Sequence, residues 1–248
     1  METVIINGTE YGFFGKSRGS NTSKFNRVVK LARMFESLDE KLDGFIVRGN
    51  YCSEQARLAL GLKLMMWTGI RIGNEGSAEG YITKPHPNSK AEPMFVQTYG
   101  LTTLKVEHVS FTSRSGSLYF LGKKQVENSF KVYGELCRQL RKVAKDRVGE
   151  DTLFGITDYQ LSKFVGKTVG KQFTPKDFRT LKANMVAWDK LQSVMEREVP
   201  STKRELNAEV REIAEEVSNH LNNTVGVCKK SYIDERIWEY FTTERLNG

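Results

Sequence analysis

The sequence predicts an α+β fold, mainly α-helical, with a small three-stranded antiparallel sheet near its middle. Three observations predict it. Apolar residues recur at helical spacing before residue 70 and again from Glu135 onward. Between Leu104 and Val132 the period shortens and turn residues interrupt the run twice. A chain of 248 residues with 39% hydrophobic and 27% charged side chains can also bury a substantial core.

The elements follow in order. Residues 1–20 place Gly8, Gly12, Gly15 and Gly19 among aromatics, and read as a short strand or arm and a loop. From Asn21 to Leu38, the positions Phe25, Val28, Val29, Ala32 and Phe35 mark a helix, with Asn21, Thr22 and Ser23 as candidate caps. Residues 53–68 form a second helix, apolar on nearly all sides and therefore central. Residues 74–98, with Gly80, Pro85, Pro87 and Pro93, read as a loop with one helical turn near its start. Strands are expected at Leu104–Phe111, Ser117–Leu121 and Val126–Val132, joined by turns at residues 113–116 and 122–124. Pro175 opens a helix at a position that tolerates proline. Leu206, Val210, Ile213, Ala214, Val217 and Leu221 stripe one face of another.

Composition narrows the function. The 38 Lys and Arg outnumber the 30 Asp and Glu by eight, a balance that favours polyanionic partners. Cys52, Cys137 and Cys228 are odd in number and widely spaced, so they give neither a disulfide framework nor a C-x-x-C metal site, and a reducing compartment fits. His86, His108 and His220 lack metal-ligand spacing, and no G-x-x-x-x-G-K-[ST] loop is present. The expected chemistry uses no metal and no cofactor. The METVIINGTEYG opening lacks a signal-peptide pattern, and the apolar run Leu58–Ile70 is too short to span a bilayer. A cytoplasmic protein with no membrane partner is expected.

Five segments carry the candidate chemistry. In TGIRIGNE, Arg71 ends an apolar helix, where it could cap the helix or meet an anion. In FLGKK, Lys123 and Lys124 sit on a tight turn, solvated or aimed at a phosphate. In TPKDFRT, Lys176 and Arg179 share one face of a helix's first turn, where cations oppose the macrodipole unless an anion binds; Asp177 is a possible local partner. Asn222 and Asn223 could cap the striped helix. In VCKKSYID, Tyr232 follows Lys229 and Lys230, and could pack or react.

Each segment alone is weak, but their order is specific. TGIRIGNE, YGLTTLKVEHV, GKK, KDFRT and NNTVGVCKKSY, in that sequence, resemble the type IB DNA topoisomerases of the short bacterial and poxviral kind, over roughly residues 5–240. The resemblance implies a DNA-breaking-rejoining catalytic domain at residues 21–248, with residues 1–20 as an arm left from the family's N-terminal β domain. Double-stranded DNA is the implied partner. Arg71 and Arg179 would hold the scissile phosphate, Lys123 would protonate the departing 5′ oxygen, Asn223 would donate to a non-bridging oxygen and Tyr232 would be the nucleophile. Lys176, Lys124, Lys229, Lys230, Tyr11 and Phe13 would contact DNA.

The chemistry needs such groups. A phenol titrates near pH ~10 and is a poor nucleophile unassisted. Guanidinium forks match phosphate oxygens and stay charged through the five-coordinate transition state. The departing alkoxide is strongly basic, so a lysine acid beside other cations fits. The phosphotyrosine ester stores the bond energy, so resealing needs no ATP.

The chain departs from the family in carrying almost none of the N-terminal β domain, which a separate subunit could supply. Its segment 77–97 is longer than usual, and Val225 and Asn222 stand where Pro and Gly are common. A site-specific tyrosine recombinase is the nearest alternative; it would need Ile237, Trp238, Tyr240 and Phe241 as a docking stripe between copies, whereas packing of these residues within the chain is the favoured expectation. A catalytically silent DNA-binding relative is the other.

Overall fold

The structure, a computed structural model, describes residues 1–14, 20–84, 90, 92–145, 147–149 and 151–247. Gly15, Gly19, Pro85, His86, Pro87 and the proposed cap side chains of Asn21 and Thr22 lie outside the described residues. The fold is α+β and mainly helical, as expected. In chain order the elements are β1 (Glu2–Ile6), β2 (Thr9–Phe13), α1 (Ser20–Arg33), α2 (Phe35–Arg48), α3 (Glu54–Thr68), α4 (Glu75–Glu79), β3 (Tyr81–Ile82) and β4 (Phe95–Val96). Then follow β5 (Val109–Phe111), β6 (Ser115–Gly122), β7 (Val126–Tyr133), α5 (Gly134–Ala144), α6 (Asp158–Thr168), α7 (Pro175–Met195), α8 (Lys203–Leu221), α9 (Val225–Ser231) and α10 (Glu235–Asn247).

These elements form two compact units. The first comprises Met1–Asp39, Met66–Gly69 and Gln172–Gly248. Its frame is α7, buried along most of its length and opened by Pro175 with a Thr174–Asp177 capping box. The predicted stripe of α8 packs against α7, and Ile213, Ala214, Val217 and Leu221 are fully enclosed there with Val186, Leu191 and Val194. Burial of side chains this size is worth about 1.5–3 kcal/mol each. Helix α10 adds Ile237 and Phe241 to the same core, and Tyr240 stacks on Trp188 at 5.6 Å. The proposed docking stripe therefore packs within its own chain.

The expected arm is a hairpin. β1 and β2 pair antiparallel from Glu2↔Phe13 to Ile6↔Thr9, with Asn7 and Gly8 both at positive φ in the two-residue turn. An Asn-Gly pair between apolar runs is a strong hairpin signal, and it marks the turn here. β2 backs onto α7 so closely that a Cβ on Gly12 would fall 2.3 Å from the Trp188 ring.

The second unit comprises Glu40–Met65 and Ile70–Lys171. Leu60, Leu62 and Leu64 of α3 are fully buried. Lys63, which interrupts that apolar run, is buried too, and its ammonium meets the Asp43 carboxylate at 2.7 Å, with Gln139 Nε2 donating to the same oxygen at 2.8 Å. A buried charge is tolerable only with such partners. The sheet runs β5-β6-β7. Leu118↔Phe130 and Phe120↔Asn128 pair on its buried face, beneath α5.

Three expectations change. The helix expected from Asn21 to Leu38 ends at Arg33, and a second helix, α2, runs from Phe35 to Arg48. Of Leu104–Phe111 only Val109–Phe111 is strand; Val106–His108 is a 3₁₀ turn in which His108 Nδ1 accepts from the Lys105 amide at 3.0 Å. Residues 74–98 hold the expected helical turn near their start, α4, capped by Asn74, but they also contain a short antiparallel ladder, Tyr81↔Val96 and Ile82↔Phe95.

Candidate active site

The candidate residues divide between the units. Tyr232, Arg179, Lys176 and Asn223 belong to the first, Arg71 and Lys123 to the second.

In the first unit, α9 is a seven-residue helix that Tyr232 terminates. Cys228 and Tyr232, four apart, face inward, whereas Lys229 and Lys230 between them are exposed. The Tyr232 ring is only 6% exposed, as a packed tyrosine would be, yet cations border it. Arg179 lies 5.4 Å and Lys176 5.7 Å from its centroid. Contacts of this kind are worth about 0.5–2 kcal/mol and hold ring and cations in register. Arg179 is itself buried, and its guanidinium donates to the backbone carbonyls of Gly69 and Leu221. Those acceptors offset the desolvation of the charge and fix its direction.

Asp177 does not serve as the local partner of Lys176 or Arg179. One carboxylate oxygen accepts from the Thr174 amide (2.8 Å) and hydroxyl (2.9 Å), and the other from Arg27 Nη2 at 3.0 Å. The capping conformation of α8 falls on Asn222, at φ 48°, so Asn223 is not the cap. Asn223 stands in the short joint between α8 and α9. There its main chain is held from both sides, its amide donating to Ser218 O at 3.0 Å and its carbonyl accepting from Ser218 Oγ at 2.6 Å.

Three residues escape the motif reading. Asn184, 2% exposed on α7, donates from Nδ2 to the Tyr232 carbonyl at 2.8 Å, and its Oδ1 accepts from the Asp234 amide at 2.9 Å. One side chain thus clamps the backbone on both sides of Ile233. Lys24 on α1 donates from Nζ to the Ser231 carbonyl at 2.8 Å. Burial, and then the charge of Lys176, hold its pKa below the ordinary lysine value. Arg27, one turn on, is the partner of Asp177. A sequence signal existed for Asn184, a polar residue on a face otherwise apolar; none existed for Lys24.

Tyr11 and Phe13 turn inward at 8% and 3% exposure, so neither presents its ring to solvent. The Tyr11 hydroxyl is pushed above the usual phenol range by burial and by the Asp189 carboxylate. His220 is held near a pKa of about 4, mainly by burial and then by Lys182, although its Nε2–H donates to Thr68 O at 3.1 Å.

In the second unit, backbone hydrogen bonds place Arg71 and Lys123 on one cleft. Leu101 N donates to Arg71 O at 2.8 Å, Thr102 N to Ile72 O at 2.7 Å and Tyr99 N to Leu121 O at 2.7 Å. This closeness explains two motif glycines. Gly73 sits at φ 102°, and a Cβ on Gly100 would fall 2.5 Å from the Gly73 backbone. The resulting cleft, ≈ 630 Å³, is lined by Arg71, Asn74, Ser77, Tyr81, Tyr99 and Lys123 among others. Lys123 is exposed at the β6–β7 turn, where Lys124 (φ 66°) and Gln125 (φ 60°) both take left-handed backbone, uncommon for such residues.

Among the described residues no helix is long and apolar enough to cross a membrane, and no group of three His, Cys, Asp or Glu could hold a metal ion.

Comparison with known proteins agrees with the family resemblance. A family model described as "Eukaryotic DNA topoisomerase I, catalytic core" matches residues 15–244. The chain is also similar to a protein of Acanthamoeba polyphaga mimivirus named "DNA topoisomerase 1B", with 23% identity over 232 residues, covering 87% of this chain and 63% of that protein. The chain thus spans less than two thirds of the length of the curated relative it matches.

Proposed function

The chain belongs to the type IB DNA topoisomerase family, and from that premise we propose that it relaxes duplex DNA by nicking and resealing one strand through Tyr232. The observation that carries this reading is the setting of Tyr232. Its ring is bordered by Arg179 and Lys176, and its backbone is clamped by Asn184 and Lys24.

In the proposed reaction Tyr232 Oη attacks the scissile phosphorus. The new P–O(Tyr) bond replaces the P–O5′ bond, giving a 3′-phosphotyrosine and a free 5′-hydroxyl. Arg71 and Arg179 receive the non-bridging oxygens, where preorganised donors to developing charge are each worth about 10²–10³ in rate. Asn223 adds a neutral donor. Lys123, on its exposed turn, gives a proton to the departing oxygen. Resealing is the reverse step: one phosphodiester is exchanged for another, so no ATP enters the balance. Lys124, Lys176, Lys229 and Lys230 supply charge for neighbouring phosphates.

The test is trapping of the ester. Wild type and Tyr232→Phe are mixed with end-labelled duplex DNA and stopped with detergent. The expected result is label covalently attached to wild type alone; no adduct from wild type, or an equal adduct from the variant, would contradict the proposal.

A further inference from the structure

Helix α5 carries its charged and its apolar groups on opposite faces. Cys137, Leu140, Val143 and Ala144 are no more than 8% exposed. Arg138, Arg141, Lys142 and Lys145 follow one another at spacings of three and four, so they share one face, and all four are exposed. Residues 135–146 set these four cations against two carboxylates, Glu135 and Asp146. Glu135 pairs with Arg138. Among the described residues no carboxylate pairs with Arg141, Lys142 or Lys145.

What holds these cations leaves their charge in place. Arg141 donates to the Thr112 carbonyl and lies 5.0 Å from the centroid of the Phe111 ring. Lys142 lies 4.0 Å from the Tyr51 centroid, and Tyr51 takes a left-handed backbone (φ 62°), uncommon for an aromatic residue. A carbonyl and a ring fix a cation without cancelling it. Arg114 adds an exposed cation in the turn that begins at Thr112, its amide donating to Thr112 Oγ1 at 3.3 Å. Like charges three and four apart destabilise a helix. The macrodipole compensates for them only in the last turn, and Arg138 lies before it. A polyanion relieves the repulsion along the whole face.

The chemistry of the face selects its occupant. A membrane surface or a helix-binding groove engages the apolar side of a basic helix as well, and here that side is packed in the core. What the helix offers is a row of charge, which suits a nucleic-acid backbone. The face is also separate from the Arg71–Lys123 cleft. None of its described residues lines that cleft. Arg141 is tied to Thr112, at the end of β6 opposite the Lys123 turn, about 23 Å away along the strand.

We propose that the cationic face of α5 is a second DNA-binding surface, which takes the phosphates of a duplex segment other than the one in the Arg71–Lys123 cleft. The choice of polyanion rests on the topoisomerase reading; capture of the second duplex does not require the chemistry to occur.

The test uses the full chain, loaded at low salt with an unlabelled short duplex and then offered a labelled second duplex. The mass of the complex reports how many duplexes one protein holds. Wild type should hold two. Its second binding event should weaken with salt at a slope of about −3 to −4 in log K against log salt, one phosphate for each cation of the face. Arg138→Gln/Lys142→Gln/Lys145→Gln keeps the Arg141 anchor and places a good helix former at each position. It should bind the second duplex roughly tenfold more weakly or worse. Its affinity for the first duplex and its rate of adduct formation should stay at the wild-type values. Lys203→Gln/Arg204→Gln/Arg211→Gln removes as many exposed charges from α8 and should bind the second duplex as wild type does. Thermal melting checks that each variant is folded.

Equal binding of the second duplex by the α5 variant would overturn the inference. So would an equal loss in the α8 variant, which would mean bulk charge and not this face. A wild type that holds one duplex only would overturn it as well; if its affinity then rose with duplex length and the α5 variant lost that gain, the face would serve the flank of the same duplex. A wild type that holds two duplexes but forms no adduct would remove the topoisomerase reading and leave the inference standing.

Discussion

Asn184 shows how much can depend on one side chain that no motif includes. In the proposed reaction the Tyr232 phenol attacks in line and needs its backbone held, because small displacements of a reacting group are costly. Asn184 provides this with a donor to the Tyr232 carbonyl and an acceptor for the Asp234 amide. Asn184→Asp keeps the acceptor and the shape and loses the donor; Asn184→Ala loses both. The expected outcome is a graded fall in the rate of adduct formation, Ala below Asp below wild type, with DNA affinity close to unchanged. Unmatched buried groups cost about 1–3 kcal/mol, so the Ala variant should also melt earlier. A purely structural Asn184 would lower the melting temperature and leave the cleavage rate of the folded protein intact. Stopped-flow cleavage below the melting range separates the two. Lys24 belongs to the same cage, but its partner is a main-chain carbonyl and its lowered pKa comes from burial and Lys176, neither visible before the chain folds.

At the scale of elements, periodicity was legible wherever one face meets a core. Five of the six stripe residues of α8 are buried and Val210 is partly so, and α3, apolar on nearly all sides, lies where its pattern places it. Short pieces were less legible, for physical reasons. Val106–His108 has a strand-like composition, but the side-chain acceptor of His108 closes a local turn first. The β3–β4 ladder is two residues long on each side, too short to show alternation. Asn7–Gly8 signals the β1–β2 hairpin, but glycines scattered among aromatics give residues 1–20 the pattern of a short strand or arm and a loop. Of the candidate site, the charged side chains were legible because chemistry restricts their types; the groups that fix them, such as the carbonyls holding Arg179, were not.

The end of α8 has its own consequence for pH. His220 titrates near 4 in the folded protein, against about 6.5 unfolded, because burial and the charge of Lys182 disfavour its cation. As pH falls below about 6.5 the unfolded chain takes up this proton first. The stabilising contribution of neutral His220 is therefore complete above about 6.5 and is lost as pH falls toward about 4, to a limit of about 3 kcal/mol. His220→Gln keeps a donor for Thr68 O and removes the titration. Denaturant unfolding between pH 7 and pH 5 should show wild type losing more stability than the variant; parallel curves would contradict this assignment.

For the whole molecule, the net charge of +8 suits a polyanion, which under the proposed function is duplex DNA. Its two compact units each carry part of the proposed machinery. The nucleophile and its cage lie in the first, and the Arg71–Lys123 cleft in the second. The reaction proposed here draws on both sets. The most direct measurement is relaxation of negatively supercoiled plasmid in EDTA without ATP, with wild type beside Tyr232→Phe. Wild type should convert the plasmid to relaxed topoisomers and the variant should leave it supercoiled. Relaxation by both would remove Tyr232 from the chemistry, and relaxation by neither would contradict the proposed activity of this chain.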